Sequence, residues 1–145
     1  QIQFRFTITS DDNELLRFWE PGAPLFEDRV EALKYAHKKG FKTSISIEPF
    51  LSDPVRIIEK IKKYVTESIW VGPMNYIKAK GLTKEEKIYY DNIRKLVETE
   101  NLIELKEKLD AFEQVRLKDA FLNHLGMKKE EIGIDQFPVL NVIHH

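Results

Sequence analysis

A chain of 145 residues, 42% hydrophobic and 32% charged, is long enough to bury one domain core and too apolar to be a disordered segment. Its 23 Lys and Arg against 24 Asp and Glu leave a net charge of −1, which gives no global attraction to nucleic acid or anionic lipid. With zero cysteines, disulfides, thiolate metal sites and any iron–sulfur cluster held by this chain alone are excluded.

Residues 3–10, QFRFTITS, alternate with a period of two. Phe4, Phe6 and Ile8 share one face of a strand, and Arg5, Thr7 and Thr9 the other. In SDDNELLRFWEP, Ser10 or Asp11 can cap a short helix that Pro21 ends. Val30, Leu33 and Ala36 recur at helical spacing up to a stop at Gly40. Residues 42–48, KTSISIE, return to the strand period, with Thr43, Ile45 and Ile47 against Ser44, Ser46 and Glu48. Ser52 or Asp53 then caps a helix with Val55, Ile58, Ile61 and Val65 as its apolar stripe. SIWVG at residues 68–72 reads as a third strand. The order β-α-β-α-β, with crossovers long enough for helices, predicts an α/β fold with a parallel sheet.

From Thr83 the pattern is helical: one or two helices to residue 112, and another over 113–125, EQVRLKDAFLNHL, closed by Gly126. The expected organisation is a βαβαβ unit over 1–80, a helical extension over 81–126 and an extended tail over 127–145, where Pro138 suits an edge strand. The chain opens on Gln1 and enters a strand at once, so it reads as a segment of a longer polypeptide. His144 and His145 read as a tag remnant rather than a metal pair.

The alternation of the first two strands is the most informative feature. It places Arg5, Thr7, Thr9, Ser44, Ser46 and Glu48 on one side of a parallel sheet, where near-continuous Val, Ile and Leu would be usual. A buried hydroxyl left unpaired costs roughly 1–3 kcal/mol, so this side must meet water, polar partners or a ligand. A face simply open to solvent is the plain alternative, although parallel strands rarely face water. Ser10 with Asp11, Glu48 and Asn75 fall at or just past the carboxyl ends of the three strands, the edge where α/β sheets bind ligands. Any one of them could be an ordinary cap; three in register are harder to dismiss. The chain has no P-loop, GxGxxG, HExxH or GxSxG. Its lysine-rich helices read as solvated faces with i,i+4 partners. A nucleic-acid groove built from them remains an alternative that the net charge does not support.

FRFTITSDDNELLRFWEPGAPLFEDRVEALKYAHKKGFKTSISIEPFL followed by IWVGPMNYI resembles the C-terminal half of radical S-adenosylmethionine enzymes, and within them the spore photoproduct lyase-like, DNA repair photolyase-related group. The resemblance covers about residues 3–77. It implies strands four to six of a partial (β/α) barrel, a half-barrel whose parent enzyme is lyase-like and uses S-adenosylmethionine and a [4Fe-4S] cluster. The cluster loop, C-x3-C-x2-C in that family, is absent from this sequence, so the chain alone is expected to be inactive. The resemblance implies cofactor contacts at Ser10, Glu48, Met74 and Asn75, and a cavity lined by Arg5, Thr7, Thr9, Ser44 and Ser46. Glu20 and Arg29 match the family's E-P-x-x-P…R pattern and suit a structural ion pair or cap on the outer helix. The implied partner is the missing N-terminal half of the barrel, or a second copy of this chain pairing with itself. A non-enzymatic α/β binding module is the competing reading. No apolar run approaches the roughly 20 residues of a membrane span, and a cytoplasmic location without a membrane partner is expected.

Overall fold

The computed structural model describes residues 2–126. Among these, a four-stranded, all-parallel sheet in the order β1-β2-β3-β4 forms an α/β fold. Strand β1 (Gln3–Thr7) leads into helices α1 (Asn13–Trp19) and α2 (Phe26–Lys38). Strand β2 (Lys42–Ile47) is followed by α3 (Pro54–Ile61) and a single 3-10 turn (Lys62–Tyr64), then by β3 (Ile69–Val71). Helices α4 (Lys84–Leu96) and α5 (Thr99–Leu109) precede β4 (Val115–Leu117) and the short α6 (Asp119–His124). No helix among the described residues is long and apolar enough to cross a membrane.

Local chemistry sets the helix starts. The Asp12 carboxylate accepts from the Glu14 N–H to open α1, and Asp53 accepts from Val55 N–H to open α3, which has Pro54 in its first turn. Thr83 and Glu86 form a reciprocal capping box at α4. Gly40 ends α2 at φ +82° and Gly126 follows α6 at φ +68°, a region that an L side chain seldom adopts.

Register fixes two unlike faces. One row runs Phe6–Ile45–Ile69–Val115 across the sheet and the next Ile47–Val71–Leu117. Ile8, Ile45, Ile47, Ile69, Val71 and Leu117 join one buried cluster with Leu33 of α2, Ile57, Ile58 and Ile61 of α3, Ile93 of α4 and Leu102 of α5. The helices thus take the apolar side of the sheet. Thr43 is the polar residue in this layer and is fully buried. Its hydroxyl donates to Tyr64 C=O at 2.6 Å and its N–H donates to the Thr66 hydroxyl at 2.8 Å, so the turn before β3 satisfies it.

The fourth strand corrects the expectation for the C-terminal part. Residues 113–125 do not form one helix: 115–117 pair with β3, and helix begins only at Asp119. Val115-Arg116-Leu117 alternates as the earlier strands do. The free edge of β3 offers hydrogen bonds that local helix propensity cannot match: Ile69 N–H donates to Gln114 C=O at 2.9 Å, and Lys118 N–H to Val71 C=O at 2.8 Å. The segment after residue 80 is therefore not a purely helical extension, because it returns to the sheet. The edge of β3 is covered by this strand. The extended tail expected over 127–145 lies outside the described residues.

Candidate functional site

The opposite face carries a polar row. Arg5 stands beside Ser44, and Thr7, Ser46, Trp70 and Arg116 lie in one line across all four strands. Five of the six residues singled out from the first two strands, Arg5, Thr7, Ser44, Ser46 and Glu48, therefore follow one face by register and alternation. Ser44 is buried, with the Gln3 amide nitrogen 3.4 Å from its hydroxyl. Thr7 is exposed, while Arg5, Ser46 and Glu48 are half-buried. Burial pulls the Arg5 guanidinium below its ordinary pKa, and the Glu48 carboxylate opposes that shift.

Glu48 directly follows β2, and the Glu48–Pro49 peptide is cis. Its carboxylate occupies a notch over β3. A Cβ on Gly72 would collide with Glu48 Oε2 and come within 3.0 Å of Lys118 Cβ. Gly72 is thus required by close approach, not by an unusual backbone angle. Glu48, Gly72 and Lys118 consequently form the next row beyond Ser46, Trp70 and Arg116. Lys118 Nζ lies 5.2 Å from the centroid of the Trp70 ring.

The other expected residues are placed differently. The Thr9 hydroxyl is bonded to Glu20, whose carboxylate also holds Arg29 at 3.1 Å. Arg29 is 9% exposed and donates to Pro24 C=O at 2.8 Å and Thr7 C=O at 3.1 Å. This network locks the end of β1 to the start of α2, so Thr9 serves it instead of extending the polar row. Glu20 and Arg29 are the structural ion pair that their pattern suggested. Ser10 is fully buried: its hydroxyl accepts from Asp12 N–H at 2.9 Å and lies 2.8 Å from the Ser52 hydroxyl. It ties the end of β1 to the loop before α3. Met74 packs against the core cluster, whereas Asn75 beside it is exposed. Asp11 is held by Arg56 and Lys60, each at 2.8 Å. Burial raises its pKa, the two hydrogen bonds outweigh this, and the net shift is downward.

Trp70, Arg116 and Lys118 were not among the residues singled out from the sequence. Their signal was the same alternation: Trp70 sits between Ile69 and Val71, and Arg116 between Val115 and Leu117. Among the described residues no group of three or more His, Asp or Glu side chains is placed to hold a metal ion.

A second feature lies at the free edge of β1. Phe4, Phe6 and Phe41 with Ala32, Tyr35 and Ala36 of α2 line an apolar trough on the helix side of the sheet. Phe4 is 40% exposed and Tyr35 63%. Phe4 shares the apolar face with Ile8, yet among the described residues it is not buried as Ile8 is. Its ring meets Phe41 edge-on at 5.1 Å.

Compared with known proteins, the chain matches no family model, and no curated protein or solved structure matches it.

Proposed function

We propose that this chain is the C-terminal part of the barrel of a radical S-adenosylmethionine enzyme, its polar face forming one wall of the cofactor and substrate cavity. The observation that carries the reading is a polar row crossing an all-parallel sheet whose other face is packed by helices everywhere but at the β1 edge. In parallel α/β proteins both faces are normally covered. A single-sided helix layer with hydrophilic residues opposite suits a sheet that curls around a chamber.

The residues fit the nucleoside part of the cofactor and not the cluster. Ser46, Glu48 and Asn75 offer hydroxyl, carboxylate and amide groups at or near the carboxyl edge of the sheet, able to bond ribose hydroxyls and an adenine edge. Ser10, buried and bonded to Ser52, supports that edge from beneath. With no cysteine in the chain, a [4Fe-4S] cluster must be held by another polypeptide segment. S-adenosylmethionine would supply an adenosyl radical on accepting one electron from that cluster, and this chain's part would be to orient the nucleoside and keep the substrate in place.

The β1 edge supports a partner. A parallel strand added beside β1, with a right-handed connection, would set its helix on the same side as α2. The trough of Phe4, Phe6, Tyr35 and Phe41 lies there. The missing N-terminal half of the barrel would bury it.

The test is a titration of the isotope-labelled chain with millimolar S-adenosylmethionine, followed by amide resonances. Shifts at Ser44, Ser46, Glu48 and Asn75, reduced in Glu48→Gln, are expected. Shifts confined to α3–α5, or none, would remove the cofactor reading.

A second reading is favoured by the fourth strand. Two copies of a four-stranded parallel sheet supply eight strands, the number of a closed (β/α)8 barrel. It requires β1 of one copy to pair with β4 of the next. A monomeric mass at high protein concentration eliminates it.

A further inference from the structure

We propose that the Trp70–Arg116–Lys118 corner of the polar face binds a small oxyanion, a carboxylate or a phosphate monoester. The inference rests on the reading of this face as a cavity wall, and it does not depend on which cofactor the cavity holds.

Arg116 provides the first observation. Its Nη1 is committed to the carbonyls of Glu113 at 2.7 Å and Val115 at 3.0 Å, while its Nε is buried with no hydrogen-bond partner. Arginine is effectively always charged, and an unmet donor on a charged, desolvated group is costly. The fork is fixed to the strand by its own backbone and still has donor capacity to spare. An acceptor with two oxygens matches a guanidinium better than water does.

Lys118 provides the second. Its ammonium stands over the Trp70 ring at 5.2 Å, and that indole is 7% exposed. Lys118 therefore sits above an apolar floor, with Arg116 the register partner of that tryptophan on β4, and attraction to an anion there is screened less than at an open surface. Along the strands of this face and just past their ends, the described residues place Arg5, Arg116 and Lys118 with one carboxylate, Glu48, an excess of positive charge on a chain whose net charge is −1. An ordinary solvated arginine would not leave its own Nε buried and unpaired.

Glu48 sets the limit of the site. Seated in the Gly72 notch next to Lys118, it repels a second negative group and accepts from any hydroxyl beside the anion. The site thus favours one compact anionic group carried on a neutral, hydroxylated body.

The test follows Trp70 fluorescence and the amide resonances of 115–118 while the chain is titrated with inorganic phosphate, with acetate, and with chloride at matched ionic strength. Saturation by phosphate alone assigns a phosphate site, and saturation by acetate assigns a carboxylate site. Arg116→Gln and Lys118→Gln should each weaken the effective anion about tenfold, while Lys34→Gln on α2 leaves it unchanged. Lys118 lies just past the end of β4, so its variant keeps the test valid if Arg116→Gln fails to fold. Equal responses to all three salts, or saturation that survives both substitutions, would overturn the proposal. No response of the unaltered chain to either phosphate or acetate, with S-adenosylmethionine shifts intact at Ser46 and Glu48, would refute the anion site and leave the cofactor reading standing.

Discussion

The two faces of the same four strands differ in what their residues are for. On one, Ile45, Ile47, Ile69 and Val71 are fully buried against the helices, and their value is the water they exclude. On the other, Ser46, Glu48, Arg116 and Lys118 stay partly accessible, and Arg5 is shifted by both burial and a neighbouring charge. Period two along a strand makes this possible: neighbouring residues in one short segment serve opposite ends. A sheet built for stability alone would have been apolar on both sides.

Substitution can sharpen or break this contrast. The largest effect is expected from Ile45→Ala on the sealed face, about 2–5 kcal/mol of lost stability, set against a change within about 0.5 kcal/mol for Ser46→Ala one residue away. Urea denaturation of the two variants measures both; equal losses would mean that the two faces are not distinct.

A middle-sized effect is expected at Gly72, where the faces meet the carboxyl edge. Gly72→Ala forces a methyl group against Glu48 and Lys118 and should cost about 1–3 kcal/mol, with displaced resonances at Glu48. A stable variant with an unmoved Glu48 would show that the notch does not position the carboxylate.

The smallest effect is electrostatic, at Asp11. Its depressed pKa in the fold means that its contribution is present above the unfolded value, about 3.9, and fades as pH falls through the lower folded value. Its partners Arg56 and Lys60 are more than half exposed, so the gain stays below about 1 kcal/mol. Asp11→Asn should flatten the stability profile below pH 4 and leave polar-face titrations untouched. A profile unchanged by the substitution would assign the acid sensitivity elsewhere.

The α/β pattern, the first three strands and most helices were legible because hydrophobic periodicity and capping are local signals. Asp53 as a cap and Val55, Ile58 and Ile61 as a stripe announce α3. The polar row was legible up to Glu48 for the same reason. Thr9 and Ser10 were misplaced because a hydroxyl in an alternating run carries no mark of its partner. Glu20 and Ser52, distant in sequence, claimed them.

By itself, then, the sequence determined which residues alternate, where helices start and stop, and that no thiolate could hold a cluster here. Tertiary structure decided that residues 115–117 would join the sheet, because three residues gain ladder hydrogen bonds only where another strand leaves an edge free. That choice also brought Arg116 and Lys118 to Trp70, a meeting across more than 40 residues of chain that no local pattern encodes.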